Sequence, residues 1–217
     1  MLIIAFGDVH MRPQRAGKIP DIRQADLVVI NGDLTVRGGR VEALSMVDAI
    51  SELNGRLCAH IGNMDEAEVD TLFTEMGINL NGRGKVVGEV GVFGLGGSPP
   101  TPFDTPSEFS EEVLGTRLRK AYQDVKDARI KILFSHPPPY GTRMDRLRSG
   151  EHVGSRAVRS FLEEQACSAC VFGHIHEAVG TDRLGSTLLI NPGMLSQGGY
   201  ARIEWDGHTL SATLGHC

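Results

Sequence analysis

Five times along this 217-residue chain, a short apolar run stops at a glycine or a turn and at once presents a side chain able to hold a metal ion. The segments are Gly7-Asp8-Val9-His10, Gly32-Asp33, Gly62-Asn63-Met64-Asp65, Ser135-His136-Pro137 and Gly173-His174-Ile175-His176. Taken singly, a Gly-Asp pair is most often a turn, and a histidine after a strand is most often structural. Five in series, each at an expected strand end, exceed what turn chemistry produces. Ligands collect outside the carboxyl ends of strands in α/β sheets. Glycine permits the sharp exit from each strand. Asp, Asn and His together offer oxygen and imidazole nitrogen, a donor mixture suited to Mn, Fe, Zn and similar ions.

The rest of the chain reads as the scaffold for those turns. Strands are expected at Leu2–Phe6, Leu27–Ile30, Leu57–His60, Lys85–Val87, Val90–Leu95, Ile130–Phe134 and Ala169–Phe172. Further strands are expected at Ala178–Thr181, Thr187–Ile190, Ala201–Trp205 and His208–Thr213, the last two joined by an Asp206-Gly207 hairpin turn. Helices are expected at Val41–Leu53, Ala67–Met76, Ser107–Val125 and Ser155–Gln165. Val41, Leu44, Val47 and Ile50 suggest the buried face of the first helix, and Ser155 an N-cap of the last. Strand–helix alternation early and hairpins late predict a mixed α/β fold, with residues 1–217 forming a single domain. The proline-rich stretch Ser98–Phe109 reads as an ordered loop beside a strand end.

Composition narrows the classes of partner. The net charge of −5 leaves no broad basic face, so no stable nucleic-acid binding is expected, and Arg117, Arg119 and Lys120 read as a solvated helix face. Runs such as Leu27–Ile30 and Ile130–Phe134 are too short to cross a bilayer. The opening MLIIAFGDVH lacks a basic stretch and a small-residue cleavage site, so no membrane association and a cytoplasmic location are expected. Cys167 and Cys170 form a lone C-x-x-C at a helix-to-strand junction, read as two reduced, packed thiols. An oligomer is compatible with the sequence.

The ordered series D-x-H, G-D, G-N-x-D, H and G-H-x-H, from Asp8 to His176, resembles the motif series of calcineurin-like metallophosphoesterases, and Ile190–Gly193 resembles a strand end of their small bacterial and archaeal members. The resemblance implies a four-layered α/β/β/α sandwich with metals at one edge of paired sheets. It also implies a hydrolase of small phosphate esters, phosphodiesters favoured, in which a hydroxide bridging two divalent ions attacks phosphorus. Manganese is the first expectation, with Fe, Zn, Ni or Co as alternatives. Carried over by position, Asp8, His10 and His176 would hold one ion, Asn63, His136 and His174 the other, and Asp33 would bridge both.

One position departs from the family pattern. Many members have a histidine after G-N that steadies the leaving group; here Met64 stands there and cannot donate a proton, which leaves Asp65 without its usual partner. The loop after His136 offers a replacement: His152 would donate a proton or bind a phosphate oxygen, with Arg143 or Arg148 neutralising phosphate charge. The alternative is that His152 simply caps or packs the start of the last helix. Two rival readings are a protein-binding scaffold on the same fold and a DNA nuclease of the Mre type. The intact set of seven ligands argues against the first; the lack of room for a DNA-capping domain and of a basic face argues against the second.

Overall fold

The computed structural model describes residues 1–217. Strands β1 (Leu2–Phe6), β2 (Leu27–Asn31) and β3 (Leu57–His60) are almost wholly apolar and almost wholly buried, as parallel strands covered on both faces must be. They run parallel in one sheet, β1 pairing β2 and β2 pairing β3. Antiparallel β10 (Gly199–Trp205) and β11 (Leu210–His216) extend the other side of β1, giving the order β11-β10-β1-β2-β3. The second sheet has the order β4-β5-β6-β7-β9-β8. Its strands are β4 (Gly84–Val87), β5 (Val90–Leu95), β6 (Ile130–Ser135), β7 (Ala169–Val171), β8 (Gly180–Leu184) and β9 (Thr187–Asn191).

The period-two alternation of each strand divides its side chains between two cores. Ile3, Ala5, Leu27 and Val29 of the first sheet meet Val92, Ile132, Phe134 and Val171 of the second in the layer between them. Ile4, Phe6, Val28 and Ile30 point the other way, toward helices α1 (Arg40–Ser51) and α2 (Ala67–Glu75). Phe93, Leu133 and Cys170 face α3 (Glu111–Gln123) and α4 (Arg156–Glu164) across the outer side of the second sheet. These three cores make the α/β/β/α layering that the family resemblance implies. No helix is long and apolar enough to cross a membrane.

Four expectations need correction. The buried face of α1 is Ala43, Met46, Val47 and Ile50, while Val41 is 77 % exposed and Leu44 lies at the rim. A strict spacing of three falls short of a full turn at 3.6 residues, so that row drifts off the core. Helix α3 begins at Glu111 rather than Ser107, because Ser107–Phe109 fold back onto Ser98 and Ser110 caps Val113 N. Strand β8 lies later than Ala178–Thr181, since Gly185, at φ 58°, and Ser186 form the hairpin turn into β9. Strand β11 starts at Leu210 because the Asp206 carboxylate accepts from His208 N and Thr209 N, lengthening the turn.

The layer between the sheets sets the stability. Ile132→Ala there should cost about 2–5 kcal/mol in urea unfolding, whereas Val41→Ala on the exposed side of α1 should stay within about 0.5 kcal/mol. Equal effects would contradict this placement of the core.

Candidate metal centre

All five ligand-bearing turns leave the carboxyl ends of parallel strands, β1, β2 and β3 from one sheet and β6 and β7 from the other. The turns interlock through backbone hydrogen bonds: Asp8 N to Gly32 O at 3.0 Å, His10 N to Asp33 O at 3.1 Å and Gly173 N to His136 O at 3.1 Å. Asp8, His10, Asp33 and His174 all adopt left-handed backbone conformations, with φ of 50°, 44°, 48° and 65°. Such strain persists only where surrounding structure imposes it, and it concentrates at functional sites.

The glycines have a second reason beyond a sharp exit. A Cβ on Gly62 would overlap Asp33 Oδ1, one on Gly173 would overlap Asp8 Oδ2, and one on Gly32 would overlap the His136 ring. Each glycine therefore makes room for a ligand carried by a different turn.

Two groups of side chains meet at Asp33. In the first, one ligand atom each from Asp8, His10, Asp33 and His176 lies within 4.8 Å of all the others. His176 Nε2 is 3.0 Å from Asp8 Oδ1 and 3.5 Å from His10 Nε2. In the second, Asn63 Oδ1 is 2.9 Å from His136 Nε2 and 2.8 Å from His174 Nδ1, and His136 Nε2 is 3.5 Å from Asp33 Oδ1. The structure thus brings together all seven residues expected as ligands.

The donors fit divalent cations. Asp8 Oδ2 is buried with no hydrogen-bond partner, an arrangement that costs free energy unless a cation faces it. Burial would raise the Asp33 pKa, but attraction and hydrogen bonding from His136 outweigh it and hold the carboxylate low. Against burial, the same pairing raises His136 to about 9, so a cation binding there would displace its proton. Burial lowers His174 to about 4, leaving it neutral and its nitrogen free to coordinate.

Supporting residues that the sequence reading passed over hold the ligands in place. Asn31 ends β2; its carbonyl lies 3.2 Å from His136 Nδ1, which leaves Nε2 facing the cluster, and its amide donates to Ser135 O. Asn31 Oδ1 also contacts Nε2 of buried His60, so this histidine is structural. Asp65 is not idle without a histidine beside it. Its carboxylate accepts from Leu34 N, Thr35 N, Thr35 Oγ1 and Gly62 N at 2.7–3.2 Å, clamping the Asp33 turn to the Asn63 turn. Asn63 Nδ2 donates to Thr105 Oγ1 at 3.0 Å, and Thr105 Oγ1 donates to Glu108, so the proline-rich loop orients a ligand. A buried polar residue at a strand end was the available signal for Asn31; Thr105 lies 42 residues from its partner and gave none.

His152 and Arg143 are placed differently from the ligands. A cleft of about 680 Å³ opens over Asn63, His174 and His176, and neither residue lines it. His152 Nδ1 is 2.8 Å from Oδ1 of buried Asp145, whose carboxylate also accepts from Gly141 N, Thr142 N and Gly154 N. That network closes the loop on itself. Arg143 lies on a short 3-10 turn, Arg143–Asp145, facing a separate surface hollow. The same loop sends Leu147, Arg148, Glu151 and Val153 to the cleft instead.

A family model described as calcineurin-like phosphoesterase matches residues 1–178. An uncharacterised protein of Methanocaldococcus jannaschii is 33 % identical over 201 residues, covering 88 % of each chain. A solved structure from Thermus thermophilus superposes with a TM-score of 0.71 at 19 % identity, covering 98 % of this chain and 97 % of that one. A dimetal phosphatase from Danio rerio gives 0.67 at 12 % identity, covering 99 % of this chain and 95 % of its own; both likenesses concern the fold.

Two outcomes test the supporting residues. Thr105→Val should weaken divalent-cation binding, probed with Mn²⁺ in calorimetric titration, by about 10–100-fold. Glu108 anchors the loop as a carboxylate: burial opposes its charge, yet hydrogen bonds from Thr101 and Thr105 hold its pKa at about 2 instead of 4.5. Its contribution to stability is therefore present above about pH 4.5 and lost as pH falls toward 2. The acid limb of a stability–pH profile should flatten in Glu108→Gln.

Proposed function

Because the chain belongs to the calcineurin-like phosphoesterase family, we propose that it is a phosphodiesterase acting on small phosphate esters with two divalent ions, manganese foremost. The observation that carries this reading is Asp33, whose carboxylate is common to two ligand groups that use all seven expected side chains. Asp8, His10 and His176 would hold one ion, Asn63, His136 and His174 the other, with Asp33 shared. Bound there, a pair of divalent cations makes water acidic enough to supply a nucleophile near neutral pH and neutralises charge on the phosphoryl oxygens.

The chain's own residues shape the rest. Met64 N donates to Asp33 Oδ1 at 2.8 Å, fixing the direction of the shared carboxylate. The His136 ring is turned by the Asn31 carbonyl, and Asn63 by Thr105, so the ligands are oriented before a cation arrives. The Met64 side chain offers no proton to a departing oxygen. Esters with good leaving groups are therefore favoured. Charge supports diesters: the cleft wall carries one cation, Arg148, against the carboxylates of Glu151 and Glu177. A monoanionic diester meets less repulsion there than a dianionic monoester.

Chelation should abolish hydrolysis and Mn²⁺ restore it. Bis(4-nitrophenyl) phosphate should be cut faster than 4-nitrophenyl phosphate. Asp33→Asn should lower metal stoichiometry at both sites together. Met64→His should help alkyl leaving groups most, by about 100-fold or more. Full activity in the metal-free protein would overturn the reading.

A further inference from the structure

One wall of the cleft has no part in holding the ligands' cations. Pro99, Pro100, Pro102 and Phe103 line it, and Phe103 is 75 % exposed. A lone exposed apolar side chain is ordinary, but the backbone that carries this one is held in place. Arg37 Nη2 donates to the carbonyls of Phe103 and Asp104 at 3.0 and 2.8 Å, and Phe103 N donates to Thr101 Oγ1 at 3.2 Å. Thr101 and Thr105 are both tied to Glu108, and Thr105 in turn holds Asn63. The backbone that carries the ring is thus anchored to the loop that also holds Asn63, and Phe103 lines the same cleft as Asn63, His174 and His176.

Size and charge limit what can occupy this wall. A cleft of about 680 Å³ is far larger than a phosphoryl group and falls in the range of sites for small organic ligands. Arg148 is its one cationic side chain apart from the histidines, and Arg148 Nε is already paired with Glu177 Oε2 at 3.0 Å. Further phosphates would meet Glu151 and Glu177 without a free cation. A neutral planar ring meets no such opposition, and aromatic side chains stack with every nucleobase because each has a π-face. Gln197 and Glu151 on the cleft lining offer hydrogen bonds to a base edge or ribose hydroxyls.

We infer that Phe103 and its neighbouring prolines form a subsite for the nucleobase of a nucleoside phosphodiester whose single phosphate reaches the ligand cluster; this rests on the phosphodiesterase reading above. Thymidine 5′-(4-nitrophenyl) phosphate and methyl 4-nitrophenyl phosphate share a leaving group and differ in the nucleoside. With the full Mn²⁺-loaded chain, the thymidine ester should have a KM lower by about tenfold. Phe103→Ala should erase that difference and leave the methyl ester unchanged, Phe103→Trp should keep it, and Phe103→Leu should lose it. Equal KM values in the wild type, an equal rise for both esters in Phe103→Ala, or full retention in Phe103→Leu would overturn the subsite. Calorimetric binding of thymidine 5′-monophosphate and ribose 5-phosphate separates the two readings without turnover. A preference for the ringed probe that vanishes in Phe103→Ala supports the subsite even if neither ester is cut, a result that would reject the phosphodiesterase reading alone. No preference between the probes rejects the subsite whatever the rates.

Discussion

The Asp33 carboxylate is buried in the seam where strand ends from two different sheets meet, and much of the architecture follows from keeping it charged there. A desolvated anion costs several kcal/mol unless opposite charge and hydrogen bonds surround it. Its surroundings come from both halves of the sandwich. His10 arrives from the end of β1, Met64 N from the turn after β3, and His136 from β6 in the opposite sheet. The sheets must therefore pack with these strand ends aligned. The turns must also approach one another closely enough that only glycine fits at positions 62 and 173.

The sequence displayed the chemistry of this site more clearly than its mechanics. Aspartate, histidine and asparagine after apolar runs are local signals, and all seven side chains converge as their order suggested. The mixed α/β class was legible in the order of strands and helices, whereas the layering followed from the family resemblance; β1, β2 and β3 fit it as apolar runs buried on both faces. What stayed hidden were partners remote in sequence. The Asp65 clamp reaches back 30 residues to Thr35, and Asn63 leans on Thr105, pairings that no periodicity announces. His152 shows the same limit. Its place in a loop beginning at the ligand His136 suggested either reach toward the cluster or a structural role at the helix start, and the structure shows Nδ1 held by Asp145, seven residues away.

The proline-rich loop joins two roles that a sequence would assign to separate elements. Through Thr105 it aims a ligand, and through Pro99–Phe103 it walls the cleft. Glu108 anchors both ends of that arrangement by accepting from Thr101 and Thr105. Thr101 in the wall and Asn63 at the ligand cluster are thereby joined through Glu108 and Thr105 by a chain of three hydrogen bonds.

The G-N-x-D segment divides along similar lines. Asn63 carries the chemical half, while Asp65 carries a structural half that does not depend on what stands at position 64. Asp65 is itself a buried carboxylate close to Asp33. Burial and repulsion from Asp33 raise its pKa, against the pull of the donors from Gly62 and Thr35. The two carboxylates, held in adjoining turns, repel one another, and the hydrogen bonds around each oppose that repulsion. A cation facing Asp33 would offset part of that repulsion. A cation at Asp33 would therefore add its binding energy to turns around residues 33–35 and 62–65 that hydrogen bonds already hold together, and so would stabilise the fold that holds it.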